Sequence, residues 1–323
     1  MRFALVALAA LVLAAPASAR VDPGVRAPAS VTVLAGDGGR AAFLAASANR
    51  GCGVVRTWVP PAKVAHSPGK VACGPQTSTG RGSYGLSLSN GVPMWVTYTG
   101  GNIREHSIWR GGRQVMFLTH DVDAPSPLLV GERGIYAIGK TATVFGPNAG
   151  SRTWALEDWP VGLSAGTPFG VVRLASGAVE RIVAATGAVD ARWDYSKGEA
   201  RAAKISGSEV VVLRVGQIDV YTTSRDTMRS WPVPAARTYG DDYCGMVRCA
   251  LAALRLADLH GDLAVYIDGR DVHVLRVTDG TDVVLRRPAV GPVHAQLESK
   301  GLFYSAGRNV YFVTRAELNR RLR

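Results

Sequence analysis

Few side chains in this sequence have the types and spacing to do chemistry, and they are scattered. His120-Asp121-Val122-Asp123 places an imidazole and two carboxylates side by side, directly after an apolar run. Such a loop can hold a cation through Asp121 and Asp123. Two acids are too few for a complete calcium shell, and Pro125 and Pro127 mark the segment as a turn, so no metal is expected there. Asp241-Asp242-Tyr243 is the second acidic cluster, within a long insertion from Ala235 to Ala250. Long loops on a rigid scaffold are where binding residues collect. Asp121, Asp123, Asp241, Asp242 and Tyr243 are therefore the candidate binding-loop residues.

The motifs of hydrolytic and nucleotide chemistry are missing. Gly80-Arg81-Gly82-Ser83-Tyr84-Gly85 comes nearest to a nucleophile elbow, but Arg81 stands where the first glycine belongs. No zincin helix, phosphate loop or EF-hand loop occurs. Gly170 to Gly177 lacks the Lys-Ser/Thr pair and the helix that a phosphate loop needs. His106, His260 and His273 sit in or beside predicted strands, as residues of a strand face. Trp58, Trp95, Trp109 and Trp231 also fall within strands, where packing explains them better than ligand stacking. No catalytic residue, metal ligand or cofactor is assigned.

The elements around these residues are strands in a repeat of about forty residues. The clearest copies are Glu209 to Pro232 and Asp262 to Pro288, where two apolar β-rich runs flank a short glycine turn and a third run follows. Further copies are Arg40 to Val59, Val92 to Arg110, Gly134 to Phe145, Gly170 to Ala184 and Gly301 to Thr314. Short strands precede most copies, as in Tyr84 to Asn90 and Leu254 to Gly261, and a fourth run follows several, as in Arg113 to His120. An all-strand repeat of this length predicts an all-β fold, a β-propeller of seven blades with four antiparallel strands each. Six blades is the alternative, because the copy from Gly170 is the weakest. The last copy lacks a fourth strand, so ring closure predicts one from the N-terminal segment between Arg20 and Leu34. Runs such as Val210-Val211-Val212-Leu213 are apolar on both faces, as a strand packed between two sheets requires. Thr314 to Leu322 reads as a terminal turn of helix capped by Thr314, with Glu317 three residues on.

Met1 to Ala19 has the charge, apolar core and small-residue end of a secretory leader, and no cysteine lies near its end to accept lipid. Residues 20–323 are then one exported propeller domain, with no membrane-spanning segment. Four cysteines in an exported chain read as two disulfides. Cys244 and Cys249 are close enough to pair locally, which leaves Cys52 with Cys73; a zinc site is the rival, without the usual ligand spacing. The formal charge of +12 comes from arginines such as Arg173, Arg181, Arg192, Arg201 and Arg214, each isolated among neutral neighbours. Nucleic-acid binders gather such residues on one strip, so no nucleic acid is expected.

These repeats resemble those of secreted bacterial β-propellers of the loose WD40-like and TolB-like group, over nearly all of Val31 to Thr314. The motifs are generic: Trp-Asp occurs once, at Trp193-Asp194, and no copy carries the Asp-rich TolB signature. The resemblance implies a fold, not an activity. The expectation is a monomeric, non-enzymatic propeller that offers one face to an extracellular protein or glycan. The alternative is a propeller enzyme, a hydrolase or lyase on an extracellular polymer or a quinone- or metal-dependent oxidoreductase. A role in envelope assembly, as in TolB-like proteins, is a third.

Overall fold

The computed structural model of the chain describes residues 22–46, 53–67, 71–72, 81–101, 103–121, 127–146, 151–166, 169–223, 227–241, 254–285 and 293–323. They form seven sheets, each a blade. Blade 1 runs outward from the axis through Val31–Asp37, Arg40–Ala46, Gly53–Trp58 and Val71–Ala72. Blade 2 follows with Arg81–Ser89, Val92–Gly100, Ile103–Arg110 and Arg113–Asp121. Leu128–Val130, Arg133–Ile138, Thr141–Phe145 and Arg152–Ala155 make blade 3. The weakest repeat is a complete blade 4, Pro160–Ala165, Phe169–Leu174, Val179–Val183 and Val189–Trp193. Blade 5 comprises Ala202–Ser206, Glu209–Arg214, Gln217–Thr222 and Thr227–Pro232. Blade 6 comprises Leu254–His260, Leu263–Asp268, Asp271–Arg276 and Asp282–Leu285. Blade 7 takes Val293–Glu298, Gly301–Ala306 and Asn309–Thr314 from the end of the chain.

Its fourth strand comes from the beginning. Gly24–Arg26 pairs antiparallel with Asn309–Thr314, with Val25 opposite Val310. This strand lies within the segment expected from the repeat count. The flanks extend the ladder: the Phe312 N–H donates to the Pro23 carbonyl at 3.0 Å and the Ala27 N–H to the Arg308 carbonyl at 2.7 Å. Asp22 accepts from Arg321 at 2.8 Å and from the Tyr304 hydroxyl at 3.3 Å. Arg321 ends the one helix among the described residues, Arg315–Arg321, whose cap is Thr314 accepting from the Glu317 N–H. Leu318 and Leu322 anchor that helix in the core between blades 6 and 7.

The packing follows from apolar strands with two buried faces. Val211 and Leu213 pack toward Leu254 and Leu256 of blade 6, while Val210 and Val212, next to them in the chain, pack toward Val171 and Val179 of blade 4. The same logic runs round the ring, and Trp58, Phe303 and Phe43 fill the seam where blade 7 meets blade 1. Inner strands of neighbouring blades touch all the way round, including blade 7 against blade 1. Within blades, inner strands turn tightly into second strands, as at Asn90-Gly91. Both residues there have positive φ, 50° and 79°, the backbone of a type I′ hairpin turn. We call the face bearing these turns the lower face. The opposite, upper face carries the links from each outer strand to the next blade.

Closure by three residues makes Val25 a sensitive position, because its side chain is buried in the seam. Replacing it with Asp strands a charge in that core. Val25→Asp should lower the unfolding free energy by roughly 3 kcal/mol or more in equilibrium urea denaturation. A loss within the scatter of surface substitutions would show that the N-terminal strand does not close the ring.

Candidate functional site

Seven inner strands surround a central channel, and its lower half is a cavity of about 430 Å³. Asp37, Ser87, Lys204, Asp258, His260, His294, Gln296 and Glu298 line it among small and apolar residues. Most of these polar groups reach sideways to the backbone of the adjoining blade. From blade 5, Ser206 Oγ accepts from the Gly261 N–H of blade 6 at 3.1 Å. Asp258 of blade 6 accepts the Leu297 N–H of blade 7 at 2.8 Å. Gln296 and Glu298 of blade 7 accept the Gly36 and Gly39 N–H groups of blade 1, at 3.1 and 3.2 Å. Asp37 of blade 1 accepts the Asn90 N–H of blade 2 at 2.8 Å, and Ser87 donates to the Gly131 carbonyl of blade 3, also at 2.8 Å. The result is a chain of side-chain staples from blade 5 through blade 7 to blade 3.

Bulges position several of these groups. The inner strands of blades 1, 2, 4 and 6 each carry a register shift against the second strand. In blade 6 the shift falls between Leu256 and Asp258, immediately before the staple. A bulge re-aims the side chain beside it. Asp258 also accepts from its neighbour's N–H, Leu259, at 2.9 Å, so its two oxygens are both engaged.

Lys204, His260 and His294 also line the lumen; Lys204 and His294 are buried. Burial pushes the His260 pKa below the usual histidine value, and the Arg315 charge adds to that while Glu298 opposes it. His260 is therefore a neutral donor and acceptor near neutral pH. No cluster of three or more potential metal ligands occurs among the described residues.

The residues singled out in the sequence fall elsewhere. Asp121 ends the outer strand of blade 2, at the upper face. Asp241 ends a short strand, Tyr239–Asp241, that pairs in parallel with the inner strand of blade 6 on its channel side, so this part of the insertion is strand. Asp123, Asp242, Tyr243 and all four cysteines, Cys52, Cys73, Cys244 and Cys249, lie outside the described residues. His106 is fully buried, 2.5 Å from the Tyr84 hydroxyl. His273 stacks on Tyr266 and shares the Asp282 carboxylate with its hydroxyl. Trp58 and Trp95 are core, as their strand positions predict.

Several of the scattered arginines are tied to carboxylates. Arg181 forms a two-pronged pair with Asp190, at 2.8 and 2.7 Å. Arg214 pairs with Glu199 and with Asp219, which is wholly buried and also accepts from Gln217, Ser230 and Tyr195. Burial and this cluster push the Tyr195 pKa far up, so its hydroxyl stays protonated. The cluster is structural: it joins the link after blade 4 to blade 5.

No family model matches the chain, and no curated protein matches it in sequence. Solved structures do match in fold. The chain is similar to the WD40 β-propeller domain of Doa1, with a TM-score of 0.59 at 10% identity over 91% of this chain and 96% of that one. It is also similar to the Pan2 WD40 domain of Neurospora crassa, with a TM-score of 0.54 at 12% identity over 88% of each chain. BamB from Moraxella catarrhalis aligns with a TM-score of 0.49 at 12% identity, over 90% of this chain and 98% of that one. At such identities the likeness to the two WD40 domains establishes a shared fold.

The His260 environment gives a pH test. A folded pKa below the unfolded value of 6.5 means its contribution to stability is intact above that pH. The contribution is lost as pH falls through the depressed folded value, because the unfolded state then binds the extra proton. Unfolding free energies at pH 7.5 and 5 should therefore drop more for the wild type than for His260→Gln. Equal drops would show that His260 is not held neutral in the channel.

Proposed function

We propose that this chain is an exported, non-enzymatic propeller that binds a protein or glycan partner through the loops of its upper face. The observation that carries this reading is the difference between the two faces. On the lower face, inner strands turn back through two residues, as at Gly38-Gly39, Asn90-Gly91, Gly207-Ser208 and Gly261-Asp262. Links from outer strands to the next blade, all on the upper face, include 194–201 after blade 4 and the stretch between Pro232 and Leu254 after blade 5, the longest in the ring, while the lower face has one long link, between Trp58 and Val71 of blade 1. Extended loops on a rigid frame are the usual seat of recognition. Of the acidic candidates, Asp121 ends the outer strand of blade 2 at this face and Asp241 ends the short strand in the stretch after blade 5. The channel groups favour the same reading, since Asp258, Gln296 and Glu298 already accept backbone N–H groups.

Export rests on the leader read in Met1 to Ala19. No helix among the described residues is long and apolar enough to cross a membrane. The fold is a common scaffold for protein partners, which supports binding over turnover as the primary role.

The test is affinity capture from native extracellular and envelope fractions, followed by quantitative binding to whatever is retained. Asp241→Lys with Asp242→Lys, in the stretch after blade 5, should weaken binding at least about tenfold, the loss of one strong contact. Lys300→Glu on the lower face should leave it unchanged. The reverse pattern, or turnover of a polymer by the unmodified protein, would overturn the proposal.

A further inference from the structure

Blade 2 is longer than the blade that follows it. Its strands have nine, nine, eight and nine residues, and those of blade 3 have three, six, five and four. The Ser87 bond to the Gly131 carbonyl sets their relative height. Gly131 already lies in the first hairpin turn of blade 3, whereas blade 2 runs on from Ser87 to turn only at Asn90-Gly91. Blade 2 therefore overhangs its neighbour by about 10 Å at the lower face. Met94 pairs with Ser87 on one side and with Arg110 on the other, so Val92 and Arg110 stand at the base of this overhang. Beside it, between the two blades, lies a cavity of about 650 Å³, within the range of about 300–1,000 Å³ usual for small-ligand sites.

A bulge gives this cavity its charge. Along the outer strand of blade 2 the register slips between the Met116–Ile108 and Gln114–Trp109 pairs. In a regular strand Arg113 and Met116, an odd number of residues apart, would point to opposite faces. The extra residue turns both toward blade 3, where they line the cavity together. Arg113 then stands directly opposite Arg110 across the Gly111-Gly112 turn, and like charges so placed repel. Glu132, from the first turn of blade 3, is the one carboxylate among the described residues lining the cavity, and Arg110 takes it. Arg113 is exposed and has no ion pair among the described residues. The floor is apolar, formed by Met94, Met116 and Phe145. Phe145 lies over its cross-strand partner Gly134, where a Cβ would collide with the ring.

We propose that this cavity binds an unbranched apolar chain ending in a carboxylate, with Arg113 holding the head group and the methionine floor holding the chain. Charge selects the head. Two arginines against one glutamate leave the lining net positive, and the fork of Arg113 matches the two oxygens of a carboxylate. The bound anion also relieves the repulsion between Arg113 and Arg110. The floor selects the body, since unbranched thioether side chains adapt to a flexible apolar chain. A sugar would leave Met94, Met116 and Phe145 without an apolar partner, and a cation would meet Arg113. The site lies at the lower rim, apart from the upper links and from the groups that staple the channel.

Isothermal titration calorimetry with dodecanoate, below its micellar concentration, tests this. The expected result is saturable binding of one molecule per chain. Arg113→Glu should weaken it at least about tenfold, by making the head-group contact repulsive. Arg270→Glu, in an exposed turn of blade 6, should leave the affinity unchanged. Dodecyltrimethylammonium, with the same chain and the opposite charge, should bind the wild type at least about tenfold more weakly than dodecanoate. Absence of saturable binding, equal affinity for the two head groups, or an unchanged affinity in Arg113→Glu would overturn the proposal. Tighter binding of a peptide with an apolar C-terminal residue than of dodecanoate would also overturn it, and would assign the cavity to a protein partner. Should Arg113→Glu fail to fold, the head-group comparison on the wild type decides.

Discussion

Ring closure is the constraint on which the rest of this molecule depends. Each blade presents apolar side chains on both faces, as Val210 to Leu213 do in blade 5, so a blade without two neighbours exposes core. An open arc of seven blades would leave two such faces bare. The chain resolves this by pairing three residues near its beginning with the last strand, at Val25 and Val310. Phe303 then packs against Trp58 edge-on and against Phe312, filling the seam. Asp22 and Arg321 tie the ends together.

The staples in the channel serve the same end from the inside. Inner strands lie closest to the axis, where neighbouring backbones converge and side chains have least room. A short polar side chain there reaches the next strand's backbone, as Asp258 reaches Leu297 and Ser87 reaches Gly131. Each such bond satisfies a backbone group that lies beyond its own sheet ladder. A net contribution of about 1 kcal/mol is ordinary for one bond, but leaving a buried partner unsatisfied costs about 1–3 kcal/mol. Asp37, Ser87, Asp258, Gln296 and Glu298 in the lumen are thus committed to holding the blades in register.

The fold was legible because the repeat imposes it. Apolar runs separated by glycine turns recur with a fixed period, and the weak copy at Gly170 to Ala184 still has the hairpin turn at Ser176-Gly177. The missing outer strand of blade 7 followed from counting. The channel was not legible. Asp258 sits in an apolar run like its neighbours, and only a bulge after Leu256 sets it against blade 7. Gln296 and Glu298 lie some 260 positions from the glycines they bind, a pairing that the circular topology alone creates. Conversely, sequence neighbours misled at Asp241, which looked like loop and lies in a strand along blade 6.

Equilibrium unfolding of Asp258→Ala tests the central claim most directly. Residues that serve binding or catalysis are commonly neutral or even stabilising when replaced, because function and stability compete at such sites. If Asp258 is a staple between blades 6 and 7, its loss should lower the unfolding free energy by about 1–3 kcal/mol, with a cooperative transition retained. A variant as stable as the wild type, or more so, would contradict the account and return the channel to the list of candidate active sites.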